Sequence, residues 1–230
     1  FLELVFNSFD DARVFSAEKG GNVNRLDDIG VTDGAPLHFR FIWDAETGNA
    51  TYGVSIDGGA MVEIATAEGL KEFEPNIVDF VMFKFGEGNG NTPKMLIDHF
   101  EIRDGVFPLS EVQPPVEGIV ETFDGPELGE DWSVRDDSAE AQIGFTEDGR
   151  YQVNEPSTSA GGDAGIRRSF TSGGSFTADL NMHFEDFIGS HTDFKFRFFG
   201  GKFLELVFNS FDDVRVFSAE KGGNVNRLDD

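Results

Sequence analysis

The chain has no cysteine, which removes disulfide staples, thiol nucleophiles and thiolate metal sites together, so its fold must be held by a core or by bound ions. Trp and Tyr occur twice each, leaving few of the amphipathic rings that work at a wet binding surface. Basic residues are scarce: 18 Lys and Arg stand against 43 Asp and Glu, for a formal net charge of −25. A surface of that sign repels nucleic-acid phosphates and anionic lipid heads, and its natural counter-charge is a multivalent cation. No apolar run approaches the roughly 18 residues of a membrane-spanning helix. No signal peptide is visible either, but the sequence opens inside a repeated segment, so that absence says nothing about export.

Catalytic patterns are missing as well. His38, His99, His183 and His191 form no His-x-His or His-Glu-x-x-His arrangement, so zinc is not expected. There is no Gly-x-Ser-x-Gly elbow. Gly86 to Asn91, GEGNGN, lacks the Lys-Ser/Thr of a phosphate loop and reads as a connection between strands.

What the chain does hold is a copy of itself. Phe1 to Asp28 and Phe203 to Asp230 are identical at 27 of 28 positions, Ala12 against Val214 being the difference. The offset of 202 residues is the expected repeat period, and both ends are expected to fall inside repeating sequence.

Phe107 to Gly118, FPLSEVQPPVEG, has the prolines of a semi-rigid spacer. The expected organisation is therefore residues 1–106 as the C-terminal part of one repeat, 107–118 as a Pro-rich linker, and 119–230 as the N-terminal part of the next.

Of the hydrophobic 39%, 26 residues are Phe, and 28 Gly accompany them, a composition of strands and tight turns. Phe176, Ala178, Leu180, Met182 and Phe184 alternate with polar residues, as do Phe194, Phe196 and Phe198; Leu37, Phe39, Phe41 and Trp43 alternate with His38, Arg40 and Ile42, and Tyr52, Val54 and Ile56 with Gly53 and Ser55. A period of two is the mark of a half-buried strand. Turn signals such as Asp57-Gly58-Gly59 and Glu147-Asp148-Gly149 separate the runs. Ala65 to Phe73 is the one stretch with helical character, weakened by Gly69 to a single turn or a loop. The fold expected is all-β: a two-sheet antiparallel jelly-roll β-sandwich.

Thr122 to Trp132, TFDGPELGEDW, resembles the opening strand of the concanavalin A-like superfamily, which includes laminin-G-like modules and bacterial β-glucanases. Leu96 to Arg103, LIDHFEIR, is similar to the glucanases' closing strand, and Leu37 to Asp57 to a strand pair of laminin-G-like modules. The resemblance implies a core position for Trp132. It also implies a structural calcium bound by Asp98 of the last strand, with Asp124 as a neighbour, since hard cations take carboxylate and carbonyl oxygens.

The glucanases' catalytic set, E-x-D-x-E or E-x-D-x-x-E on one strand, does not appear in this sequence. Retaining chemistry needs two carboxyls about 5 to 5.5 Å apart, and the nearest candidates are Glu3 or Glu205, isolated, and the adjacent Glu185-Asp186. The remaining acidic pairs, Asp10-Asp11, Asp27-Asp28, their copies, and Asp136-Asp137, read as solvated loop charges without EF-hand or calcium-roll spacing.

The expectation is a non-enzymatic structural or adhesive repeat of a secreted or cell-surface protein, building an extracellular fibre or filament. Its expected partners are neighbouring copies of the same repeat, arranged either as beads on a string or by strand exchange. A carbohydrate-binding module is the alternative, with a glycan as partner. Beyond calcium, no cofactor is expected.

Overall fold

A computed structural model describes residues 2–7, 11–16, 21–26, 30–70, 73–84, 90, 92–111, 118–136, 142–154, 163–171, 173–200, 204–208, 214–218 and 223–228; across 2–26 the only side chain described is that of Leu4, and across 204–228 only backbone is described. Among these residues the protein is all strand and loop, without a helix. Ala65 to Phe73, where one helical turn was conceivable, instead opens in strand, and residues 71 and 72 lie outside the described set.

Two antiparallel sheets hold the strands described between residues 2 and 200. The first runs in the order β10 (Trp132–Asp136), β13 (Asp163–Ser169), β7 (Pro75–Lys84), β15 (Thr192–Gly200), β1 (Leu2–Asn7), β2 (Asp11–Ser16), β3 (Gly21–Leu26). The second runs β11 (Gln142–Phe145), β12 (Tyr151–Asn154), β8 (Lys94–Asp104), β14 (Phe176–Glu185), β4 (Leu37–Asp44), β5 (Asn49–Ile56), β6 (Val62–Ala67), with the short β9 (Ile119–Glu121) also on β8. Residues before and after the Pro-rich segment interleave in both sheets: β14 lies between β8 and β4, and β7 lies between β13 and β15.

Alternation explains why these sheets pack face to face. Leu37, Phe39, Phe41 and Trp43 of β4 are buried, as are Phe176, Ala178, Leu180, Met182 and Phe184 of β14 and Phe194, Phe196 and Phe198 of β15. Their rings meet between the layers. Phe41 stacks on Phe198 with centroids 4.0 Å apart, Phe39 lies 5.5 Å from Phe194, and Phe80 meets Phe100 edge-on at 5.0 Å. Each such ring contributes about 1.5–3 kcal/mol by leaving water. Phe brings no hydroxyl to satisfy, whereas the one Tyr in the middle of the layer, Tyr52, must donate its hydroxyl to the carbonyl of Phe196 at 3.1 Å. Trp132 is buried as expected, its indole N–H donating to Glu121 Oε2 at 3.0 Å.

Gly165 of β13 marks a close backbone approach, since a Cβ there would stand 2.0 Å from the carbonyl oxygen of Phe80.

The duplicated residues form a third, three-stranded sheet, β16 (Leu204–Phe208), β17 (Val214–Ser218) and β18 (Gly223–Leu228). Its registers are those of β1 to β3 shifted by 202: Leu2 faces Ser16 as Leu204 faces Ser218, and Ala12 faces Leu26 as Val214 faces Leu228. Even the register shift is repeated, between Val14 and Phe15 and between Val216 and Phe217.

Candidate functional site

Strands whose inward positions are apolar place their alternate residues on the outer face, and in the middle of the second sheet those residues are charged. β4 contributes His38 and Arg40, β8 contributes His99, Glu101 and Arg103, and β14 contributes Asp179 and Asn181. The registers bring them together, with Asp179 opposite both Arg40 and Glu101, and Asn181 opposite both His38 and His99. Together with Ser55, Gly59 and Met61 from the β5 to β6 side, they line a cleft of about 590 Å³.

Asp179 is the centre of this cluster and is almost wholly buried. Arg40 Nε donates to its Oδ1 at 2.7 Å, Arg103 Nη2 donates to its Oδ2 at 2.6 Å, and His38 Nε2 lies 2.6 Å from Oδ1. Burial alone would push the carboxyl up; the hydrogen bonds from His38 and Arg40 and the Arg40 charge outweigh it and hold Asp179 below the usual carboxylate range. Arg103 also donates through Nη2 to Glu101, whose other oxygen lies 3.5 Å from His99 Nε2. One guanidinium thus bridges two carboxylates on neighbouring strands.

A wall of the cleft is the start of the Pro-rich segment. Arg40 Nη1 donates to the carbonyls of Pro108, Leu109 and Glu111 at 3.1 to 3.4 Å. Thr177 Oγ1 donates to the Gly105 carbonyl and accepts from the Phe107 amide, both at 3.0 Å. Phe107 lies under the Arg103 guanidinium, 5.7 Å from its ring centroid. The side chain of Leu109 packs directly over Gly53 of β5, where a Cβ would stand 2.7 Å from Leu109 Cδ2. Residues 112–117 lie outside the described residues.

No protein-family model matches the chain, and no curated protein does either. The site is therefore read from its own chemistry. Held below the usual carboxylate range by His38 and Arg40, Asp179 stays ionised near neutral pH and cannot serve there as a proton donor. What the cleft does offer is a dense set of donors and acceptors with two thioether and aliphatic contacts, Met61 and Leu109, in a space large enough for a small polar ligand.

Of the residues singled out in the sequence, His38 and His99 line the cleft and the acidic ones lie elsewhere. Asp98 is the extra residue of a bulge in β8: the pairing with β14 steps from His99 opposite Asn181 to Ile97 opposite Met182. The bulge leaves Asp98 exposed, with Arg150 Nε 3.6 Å from one oxygen and His183 Nδ1 3.5 Å from the other. Asp124 accepts from Thr122 Oγ1 at 2.7 Å. The groups beside these two aspartates are thus a guanidinium, an imidazole and a hydroxyl, and among the described residues no three His, Asp or Glu gather as a metal set. Glu185 ends β14 paired with Lys94 at 2.9 Å, and Asp186 follows it in a left-handed turn at φ 52°. The side chains of Glu3, Glu205, Asp10, Asp11, Asp27, Asp28, Asp136 and Asp137 lie outside the described residues.

The cleft was missed because its parts come from strands up to 141 residues apart. A signal was there: mid-strand positions that should meet solvent carried His-x-Arg, His-x-Glu-x-Arg and Asp-x-Asn rather than the Thr, Ser and Lys of an ordinary wet face.

Proposed function

We propose that the chain is a structural or adhesive unit of a secreted or cell-surface protein, built as a tandem array of near-identical jelly-roll sandwiches with a period of 202 residues, in the manner of a non-catalytic member of the concanavalin A-like superfamily. The observation that carries this reading is the duplication of residues 1–28 at 203–230, which keeps strand pairings and bulge alike. Neighbouring copies are the partners such an array provides, and near identity suits units that all perform the same mechanical task. The acidity of each unit keeps a crowded fibre soluble.

Stretching a polypeptide of four periods between two handles tests it. Unfolding in equal contour-length steps of about 70 nm, which is 202 residues at roughly 3.3–3.6 Å each, is the expected result. Irregular steps, or extension without force peaks, would overturn the proposal.

A second reading, a carbohydrate-binding module, draws on the outer-face cleft, where His99, Asn181 and Ser55 stand as hydroxyl partners. Screening the chain on a glycan array beside a His99→Ala, Asn181→Ala variant distinguishes the two: binding that the variant loses favours the lectin reading, and absence of binding leaves the mechanical one. Calcium at Asp98 and Asp124 belongs to the same proposal, and a melting temperature raised by calcium and lowered by chelator is its expected sign. An unchanged melt would remove it.

A further inference from the structure

The edge of β15 in the first sheet is completed by a segment that exists twice. β1 lies there antiparallel, Leu2 opposite Phe198, Leu4 opposite Phe196 and Asn7 opposite Asp193, and Leu4 is fully buried. Yet β15 ends at Gly200, and β16, the copy of β1, begins at Leu204. If Leu204 took the place of Leu2 opposite Phe198, the chain would turn back through Gly200, Gly201 and Lys202, a three-residue hairpin with glycine at hand for a positive φ. The direct route to this edge therefore belongs to β16.

We infer that the β15 edge is a docking slot for residues 203–230, which replace residues 1–28 strand for strand. Three observations support the exchange. The two segments differ only at Ala12 and Val214. Their internal registers and bulge are the same, so the copy would bring Leu206 to the register position that Leu4 holds opposite Phe196. Each is also tethered next to the slot. Residues 1–28 are joined to β4 by a connection whose Asp33 accepts from the Phe187 and Ile188 amides, and residues 204–228 are joined to β15 by three residues. Two equivalent segments, each held close, compete for one edge. β16 is itself an edge strand of its three-stranded sheet among the described residues, so its backbone groups gain partners by entering the slot. The inference does not rest on the array reading, because it concerns the two copies within a single chain.

The test uses the intact 230-residue chain with a charge placed at Leu4, which is buried, or at its sequence equivalent Leu206. Leu4→Asp and Leu206→Asp alone are each expected to lower the melting temperature by less than about 3 °C, since the other copy fills the slot, while the double variant loses more than about 10 °C. Hydrogen exchange supplies a second readout. In Leu4→Asp the amides of β16 to β18 gain protection, and in Leu206→Asp those of β1 to β3 do. The inference fails if either single variant falls as far as the double one, if the double variant melts like the parent, or if protection does not move between the copies.

Discussion

At the scale of single residues, two buried aspartates face opposite electrostatic outcomes. Asp179 accepts from two arginines and a histidine and is held below the usual carboxylate range, so its contribution is fully present above the unfolded value of about 3.9 and is lost as pH falls through its lower folded value. Asp79 of β7 is wholly buried under the opposite face, with Arg167 at 3.0 Å and Arg135 at 3.3 Å. Burial nevertheless dominates over Arg197, Arg167 and Arg135 and raises its carboxyl, and Asp79 Oδ1 accepts no hydrogen bond among the described residues. Its contribution has the reverse sign: present below the unfolded value and lost as pH rises through the folded one. Asp179→Asn should therefore cost about 3–5 kcal/mol at pH 7 by stranding Arg40 and Arg103, while Asp79→Asn should cost less, because burial already works against the Asp79 charge and, of its arginines, Arg135 and Arg167 reach solvent although Arg197 is buried. Urea unfolding at pH 7 and at pH 5 checks both, and an Asp179→Asn as stable as the parent would contradict the cluster's role. None of this was legible in sequence, where Asp179 is one of the polar residues alternating with Phe176 to Phe184 and nothing marks Asp79; only the register across neighbouring strands surrounds them with arginine.

At the scale of elements, the strands that alternate cleanly are the ones the sequence already outlines. β14 covers Phe176 to Glu185 and β4 covers Leu37 to Asp44, because a period of two leaves a single choice of inward face. β8 shows why the reading then failed locally. The bulge at Asp98 reverses the alternation, so that Met95 and Ile97 point inward before it and Phe100 and Ile102 after it, and a residue that looks like a regular strand aspartate is in fact an unpaired insertion. The Pro-rich segment likewise reads as a spacer by composition, whereas its first residues are hydrogen-bonded over β4 and β14 because Arg40 needs carbonyl acceptors. Two substitutions probe the packing at this scale. Gly165→Ala should destabilise by about 3 kcal/mol, since its Cβ would meet backbone that cannot move aside. Phe41→Ala should cost about 3–5 kcal/mol by emptying the space between Tyr52, Phe176 and Phe198. Denaturant midpoints near the parent's would show that these contacts do not hold the layers together.

At the scale of the whole molecule, the account depends on strands from residues 1–106 and 119–200 sharing both sheets around one phenylalanine core. The cleft needs this too, since Asp179 reaches Arg40 and Arg103 only when β14 lies between β4 and β8. So does the docking slot, which exists only beside β15. Sequence composition foretold a layered β fold held without disulfides, but not the interleaving, because which strands neighbour one another is decided by long-range packing rather than by local pattern. Hydrogen exchange on the intact chain across a denaturant series measures it most directly. The account predicts that the amides of β7 and β8 and those of β14 and β15 are protected to the same degree and lose protection together, as one cooperative unit. Protection confined to one of the two parts, or lost in two separate transitions, would contradict it.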